Sequence, residues 1–489
     1  MYGGLLGQNN QEMQIMKKPQ PRLTLKADRF FDPNPAVRAV ARKLYQSVKN
    51  LPIMSPHGHV DPNLFVENKP YPNPTELFLL SDHYIYRMLY SQGLPMESLG
   101  IRPLDGSSTE TNAKNIWKLF GENYYLFRGT PTGMWLNHEF SEVFGIRKRL
   151  TGATAIEIYD EINEKLRSPK FRPRALFDRF NIAVLSTTDA ATDTLEPHQK
   201  IRASGWKGNV IPCFRPDGVT DLKAKNWKAN IDLLTERSGV DATSYSRFIQ
   251  ALENRRTFFK SMGAVSTDHG VSSPHTHEFT KGEGERIFQR ALMGQSTSEE
   301  AAQFTAHMLM EMARMSIEDG LVMQIHPGSD RNHNRIVYDK YGTDKGCDIP
   351  MQTEYTHNLK ELLNKYGNNP KLTVIVFTLD ESTYARELAP LAGHYPAMKL
   401  GPPWWFHDSI EGMMRFRSMV TETAGIYNTV GFNDDTRAFV SIPARHDLSR
   451  RVDSNFLAGL VARHIVDMDE AEEMNYDLAN GLVKKAYKL

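Results

Sequence analysis

The sequence predicts an α/β protein: eight short parallel strands closing into a barrel, with a helical stretch inserted after the first strand. Three observations carry this. Eight brief apolar runs recur along the 489 residues, at 51–55, 181–185, 210–214, 262–266, 321–325, 372–377, 398–400 and 429–432. Each run is followed by polar, reaction-capable residues: in order His57 and His59, Asp189, Arg215, Asp268 and His269, His326, Asp380, Trp404 to Asp408, and Asp434 to Arg437. Helical patterns separate the runs from residue 180 onward, and such alternation favours a parallel sheet. A closed parallel barrel gathers all eight tails on one rim, where barrel enzymes keep their chemistry. An enzyme is expected.

Residues 1–20 are rich in Gly, Gln and Asn and read as a mobile arm, taken as 1–30, ahead of a barrel over 31–489. Ala36, Val37, Val40, Ala41 and Leu44 recur at helical spacing, so a helix over 35–49 leads into the first strand. Between the first and second runs lie more residues than a strand–helix–strand crossover needs, which predicts a helical insertion over 62–179. Its expected helices cover 74–80, 84–92, 113–119, 135–143 and 154–166. Placed after the first strand, the insertion lies over the rim. Further helices are expected at 231–234, 245–262, 301–319, 356–366, 382–391, 409–422 and 448–466. The polar stretch 328–350 after the fifth run is long for a connection, and a rim loop of that length reads as functional.

Composition narrows the class. A chain this long exceeds a bare barrel of ~250 residues, in keeping with the insertion. Lys plus Arg number 59 and Asp plus Glu 58, with no long basic stripe, so nucleic acid is not an expected partner. Cys213 and Cys347 are the two cysteines; neither has metal-type spacing, and their scarcity suits a reducing, cytoplasmic compartment. No apolar run reaches the ~20 residues of a membrane span, so no membrane role is expected. A homo-oligomer is compatible with all of this.

Alternate residues of an extended chain face one side, so His57 and His59 can converge on one point. Neutral imidazoles suit zinc, and less selectively manganese or iron; surface or hydrogen-bonding histidines are the plain alternative. When the barrel closes, the eighth run neighbours the first, so Asp434 or Asp435 can complete a metal site or act as a base, or cap the next helix. Arg215, Arg331 and Arg437 offer forks that match a carboxylate, although single arginines are more often surface partners. His326 suits metal, substrate or the barrel wall, and His269 a structural place. Trp404-Trp405-Phe406 reads as core or as the flat wall of a sugar site. Ser81-Asp82-His83-Tyr84 offers a phenol and an imidazole for proton transfer, or a capped helix start.

Together these motifs resemble the uronate isomerase (glucuronate isomerase) family of the amidohydrolase superfamily. The likeness covers nearly the whole chain after about residue 30. It runs through His57-x-His59, Asp82-His83-Tyr84 with Arg87, Ser186 to Asp189, Arg215-Pro216-Asp217 and Ser266 to His269. It continues through Gln324 to His326, Arg331-Asn332, Trp404 to Asp408, Asp435 to Phe439, Arg445-His446 and Arg450-Arg451. The resemblance implies a distorted (β/α)8 TIM barrel with an inserted helical subdomain. It also implies aldose–ketose isomerisation of a uronic acid, D-glucuronate to D-fructuronate or D-galacturonate to D-tagaturonate. By position, it implies a divalent metal ion, zinc, on His57, His59 and Asp435. Asp435 would double as the base, Tyr84 and Arg437 would join it in catalysis, and His83, Arg215, His326, Arg331 and Trp405 would line the substrate. Ser55-Pro56 and His407 depart from the family's usual residues and mark a divergent branch. A metal-dependent hydrolase, a silent sugar-acid sensor, and an isomerase or epimerase of a related acid sugar are the alternatives. The first is disfavoured because Asp268-His269 stands where binuclear relatives place a bridging lysine.

Overall fold

A computed structural model describes residues 22–80 and 82–489. The parallel strands follow one another around the sheet in chain order. The first, Ile53–Ser55, pairs with Ile182–Ser186, which pairs with Val210–Ile211. The second and third runs each resume after a two-residue break, as Asp189–Ala190 and Phe214–Arg215, and pair again. Pro212 breaks the third ladder, since proline has no N–H to donate. Next come Ser266–Val271, Val322–Pro327, Val374–Val376 and Met398–Leu400, each parallel to its predecessor. The eighth run makes a single bridge, Leu400 to Thr429, and the ring closes where His59 N–H donates to Thr436 O at 3.0 Å. This is a distorted barrel.

Two runs differ from expectation in detail. Residues 262–266 read as the fourth strand, but Met262 caps the helix Tyr245–Ser261, Gly263 turns the chain at φ +89°, and the strand starts only at Ser266. The eighth run, expected as a strand over 429–432, leaves the ladder after Thr429. Gly431 adopts φ +77° against Leu478 O, where a Cβ would come within 2.7 Å, and extended pairing ends there.

Between Asn63 and Arg179 the chain is a series of short helices, among them His83–Tyr90, Ala113–Glu122, Pro131–His138 and Ala155–Leu166. They share an apolar core built on Phe78, Trp117, Phe120, Phe140 and Phe144, which continues into Ile53, Ile182 and Leu185 of the barrel. The Trp117 indole N–H, inside that core, donates to Ala155 O at 2.9 Å. The helices therefore pack on the first two strands rather than hang from them.

The arm expected over 1–30 lies outside the described residues as far as residue 21. From Arg22 the chain is packed: Arg22 bridges to Lys148, Leu23 is buried, and Arg29 pairs with Asp447 at 2.5 Å. Asp447 also pairs with Arg451 at 2.9 Å and accepts from the Tyr45 hydroxyl. Burial alone would raise this carboxyl, but the two guanidinium groups outweigh it and hold it below its ordinary value. A depressed carboxyl contributes stability above its unfolded value of ~3.9, lost as pH falls through the folded value. An acid titration of thermal stability is thus expected to fall less steeply below about pH 4 in Asp447→Asn than in the parent. Parallel curves would refute this.

Candidate active site

The strand ends and the inserted helices enclose a cavity of about 760 Å³ that opens to solvent. His59, His83, Tyr84, Arg215, Arg331, Trp405, Asp435 and Arg437 all line it. His57 lies directly beneath, 1 % exposed.

The histidine pair follows the first strand on a turn fixed by Thr188, whose hydroxyl donates to Gly58 O at 2.9 Å. Their rings meet edge to face at 5.4 Å. Asp435 faces both, its Oδ1 lying 3.4 Å from His57 Nε2 and 3.2 Å from His59 Nε2. That oxygen is buried and makes no hydrogen bond, and Asp435 takes φ +39°, a strained conformation for a residue with a Cβ. Two imidazole nitrogens and a carboxylate oxygen within 4.8 Å of one another, one of them an orphaned buried anion, fit a divalent cation. Burial opposes charge on His57, but Asp435 and Asp268 outweigh it and hold His57 well above its ordinary value. Burial pulls His59 down, and the imidazoles hold Asp435 well below the carboxylate range.

The opposite wall is aromatic and strained. Trp405 and Phe406 adopt φ +24° and +67°, and their rings stack at 5.6 Å. The inserted helix His83–Tyr90 fastens them: Trp405 Nε1–H donates to His83 Nε2 at 3.1 Å, and Phe406 N–H donates to the Tyr84 hydroxyl at 3.1 Å. Burial lowers His83 to about 4, so it is neutral, with its proton on Nδ1. Burial and the nearby Asp408 raise the Tyr84 phenol well above its ordinary value, so it keeps its proton. Its hydroxyl lies 3.4 Å from Asp408 Oδ1.

The three arginines read as carboxylate receivers already have acidic partners. Arg215 is bound by Asp217 at 2.7 Å and Asp268 at 3.3 Å, and is fixed in place. Arg331 pairs with Asp348 at 3.3 Å and Arg437 with Asp344 at 3.2 Å, both guanidinium groups half-exposed. The Arg437 pair, exposed on both sides, is worth little, whereas Arg331 reaches a buried carboxylate.

His326 is not on the cavity wall. It is one layer deeper, 5 % exposed, with Nδ1 2.6 Å from Asp268 and its ring stacked between Phe377 at 3.9 Å and His57 at 4.6 Å. The structure thus places it beneath the wall, with Nε2 buried and unpartnered. Buried at strand depth, it supports His57 from below. His57, Asp268 and His326 also form a second cluster of metal-type donors. There, however, Asp268 is already engaged by His326 and Arg215.

Three wall residues, Asp408, Asn433 and Arg445, were given no role from sequence. Asp408 pairs with the buried Arg445 at 2.8 Å, and Asp434 with His446 at 3.0 Å. Trp404, Asn433 and Asp434 also line the cavity, and the Trp404 indole N–H, both amide atoms of Asn433 and Asp434 Oδ1 are buried without partners. Unpartnered donors and acceptors of this kind are what a polyhydroxylated ligand satisfies.

A parallel barrel with a metal-type donor set, a protonated phenol and arginines converging at one mouth defines a barrel enzyme acting on a small polar anion. The comparisons give the family. The glucuronate isomerase family profile matches residues 30–485. A uronate isomerase of Brucella canis is 53% identical over 467 residues, 96% of this chain and 100% of that one. The crystal structure of glucuronate isomerase from Caulobacter crescentus superposes with a TM-score of 0.94 at 53% identity, over 96% of this chain and 98% of that one. The uronate isomerase structure from Thermotoga maritima gives 0.88 at 27% identity, over 95% and 99%. The chain belongs to the glucuronate (uronate) isomerase family.

Proposed function

We propose that this chain interconverts an aldohexuronate and its ketose, D-glucuronate with D-fructuronate or D-galacturonate with D-tagaturonate, by moving a proton between C2 and C1. The observation that supports it most is Asp435, ionised and unbonded at Oδ1, facing the same cavity as a protonated Tyr84 and two half-exposed arginines. Aldose–ketose exchange needs that division of labour: a group to take the proton beside the carbonyl and one to give a proton to its oxygen.

Arg331, half-exposed and held by Asp348, receives the substrate carboxylate on its free N–H groups. Arg215 contributes fixed positive charge deeper in the same wall. Asn433, Trp404 and Asp434 hold hydroxyls, and the Trp405 face covers the sugar's apolar side. Held so, C2 lies within reach of Asp435, which takes its proton. Asp435 is ionised at every working pH. A base this weak relies on stabilisation of the developing oxygen charge rather than on its own proton affinity. Arg437 stabilises that charge, and Tyr84, oriented by Asp408, gives its proton to the carbonyl oxygen to form an enediol. Asp435 then returns its proton to C1 while the C2 hydroxyl proton passes back to Tyr84, which restores both groups. His57, His59 and Asp435 would hold a divalent cation, zinc by their nitrogen-rich set, which would supply Lewis-acid stabilisation of the sugar oxygens.

Incubation with each uronate in deuterated water tests the reading: ketose is expected to form and carry deuterium at C1. Ketose without label would replace proton exchange by a hydride shift or a shielded proton. No ketose from either acid would sink the assignment. Arg331→Met is expected to raise KM about 10- to 100-fold with little change in kcat, the loss of one charge-assisted contact to the carboxylate. An unchanged KM would remove Arg331 from that role.

A further inference from the structure

The helix Leu482–Tyr487 belongs to none of the strand–helix units, yet it closes the barrel at the end opposite the cavity. Lys488, just beyond it, donates from Nζ to Gly320 O at 2.8 Å, ahead of the strand Val322–Pro327. The helix enters where the eighth run leaves the ladder. A Cβ on Gly431 would meet Leu478 O at 2.7 Å and a Val483 methyl at 2.8 Å, so only glycine permits the approach. Val483 and Tyr487 then pack against Met54, Val184, Val322 and Ile375 of the strands.

Among these apolar side chains runs a line of polar ones. Tyr487 is 0 % exposed, and its hydroxyl donates to Gln324 Oε1 at 2.8 Å. Gln324 Nε2 donates to Thr267 O at 3.3 Å and to Cys213 Sγ at 3.7 Å. The Ser266 hydroxyl donates to the same sulfur at 3.4 Å. Ser266, Gln324 and Cys213 are as deeply buried as Tyr487. The sulfur in turn lies within hydrogen-bonding reach of His57 and favours charge on that imidazole. His57 Nε2 faces Asp435, while Nδ1 is buried without a regular partner. The line therefore runs from the floor of the barrel to the histidine beneath the cavity. Hydrocarbon side chains would fill the same space with no polar group to desolvate, so packing alone does not account for it.

We infer that Tyr487 is a positioning residue for the active site: through Gln324 and Cys213 it fixes the ring of His57, and so the nitrogen turned toward Asp435. A satisfied buried network holds its members in one arrangement, and a ligand imidazole depends on such outer neighbours for its orientation. The inference rests on the reading of His57 as part of the site and adds to it a residue from outside the rim.

The test uses the full chain and two readouts: zinc affinity of the metal-free protein against a chelating dye, and kcat and KM for the uronate the parent converts. Tyr487→Phe keeps the ring and removes only the hydroxyl. Zinc Kd should rise and kcat fall about 3- to 10-fold each, less than the roughly 10- to 100-fold typical of a direct outer partner, with KM unchanged. Gln324→Met should do as much or more. Adding Tyr487→Phe to it should move neither readout further, since both act along one line. Zinc binding needs no turnover and kcat needs no choice of metal, so failure of the proposed reaction or ion in the parent leaves the other readout standing. Parental zinc affinity and kcat in Tyr487→Phe, whatever its melting temperature, overturn the inference and leave the hydroxyl a packing element. So do losses that multiply in the double variant, which would place Tyr487 on a separate path.

Discussion

Asp435→Asn is expected to lower kcat about 10²- to 10⁴-fold, the range of a lost proton-transfer group, while the fold survives. Asparagine tolerates the left-handed backbone at this position at least as well as aspartate, so the φ of +39° adds no new strain. His57 retains Asp268 as a carboxylate neighbour, so the charge on the imidazole cluster is not stranded. Stability should therefore change little, and a thermal melt of the variant checks this. Two roles meet on Asp435, and one further measurement parts them. If the cation is bound with near-parental stoichiometry while turnover collapses, the loss belongs to proton transfer. If metal content falls in step, the carboxylate is needed first as a ligand. Near-normal turnover would remove Asp435 from the chemistry.

The barrel was legible because its runs are apolar, short and separated by helical periodicity. That pattern survives where individual ladders do not, as at Pro212 and Gly431. The fourth strand was misplaced for a local reason: Met262 and Ala264 are apolar but end a helix, and only the left-handed Gly263 marks the turn between. Among the rim residues, Asp434 and Asp435 could be read as a pair because they closely follow a run, which by itself does not choose between them. Depth could not be read. His326 belongs to a strand buried along its whole length, and nothing in the pattern says whether its ring reaches the cavity or stops one layer short. Asp408 and Arg445 were hidden for another reason. Neither the loop residue Asp408 nor the helical Arg445 has a sequence neighbour that marks it as buried, and the pairing joins positions 37 apart in sequence, so only packing shows that both are buried.

That buried pair carries the second large effect. Arg445 is 3 % exposed, bonds Asp408 at 2.8 Å and Ser441 at 3.1 Å, and lies with its guanidinium carbon 3.7 Å from the Trp135 ring centre. Burial raises Asp82, Glu139 and Asp408 around it, and Arg445 is the cation that counters each. Arg445→Met is expected to cost about 3–5 kcal/mol of stability at neutral pH, because Asp408 is left as an uncompensated buried charge. Adding Asp408→Asn should recover part of that loss, since a neutral amide needs no counter-ion; a double-mutant cycle in denaturant measures the recovery. Asp408 lies above its ordinary value, so its ionisation opposes folding, a cost complete above the folded-state pKa that vanishes as pH falls through the ordinary carboxylate range. The deficit of the single variant should accordingly shrink on acidification, and that of the double variant should not. Because Asp408 also orients Tyr84, Asp408→Asn alone should lower kcat more than it raises KM. A single variant as stable as the parent, or a pair whose losses simply add, would show that the guanidinium is packed there for its shape and not for its charge.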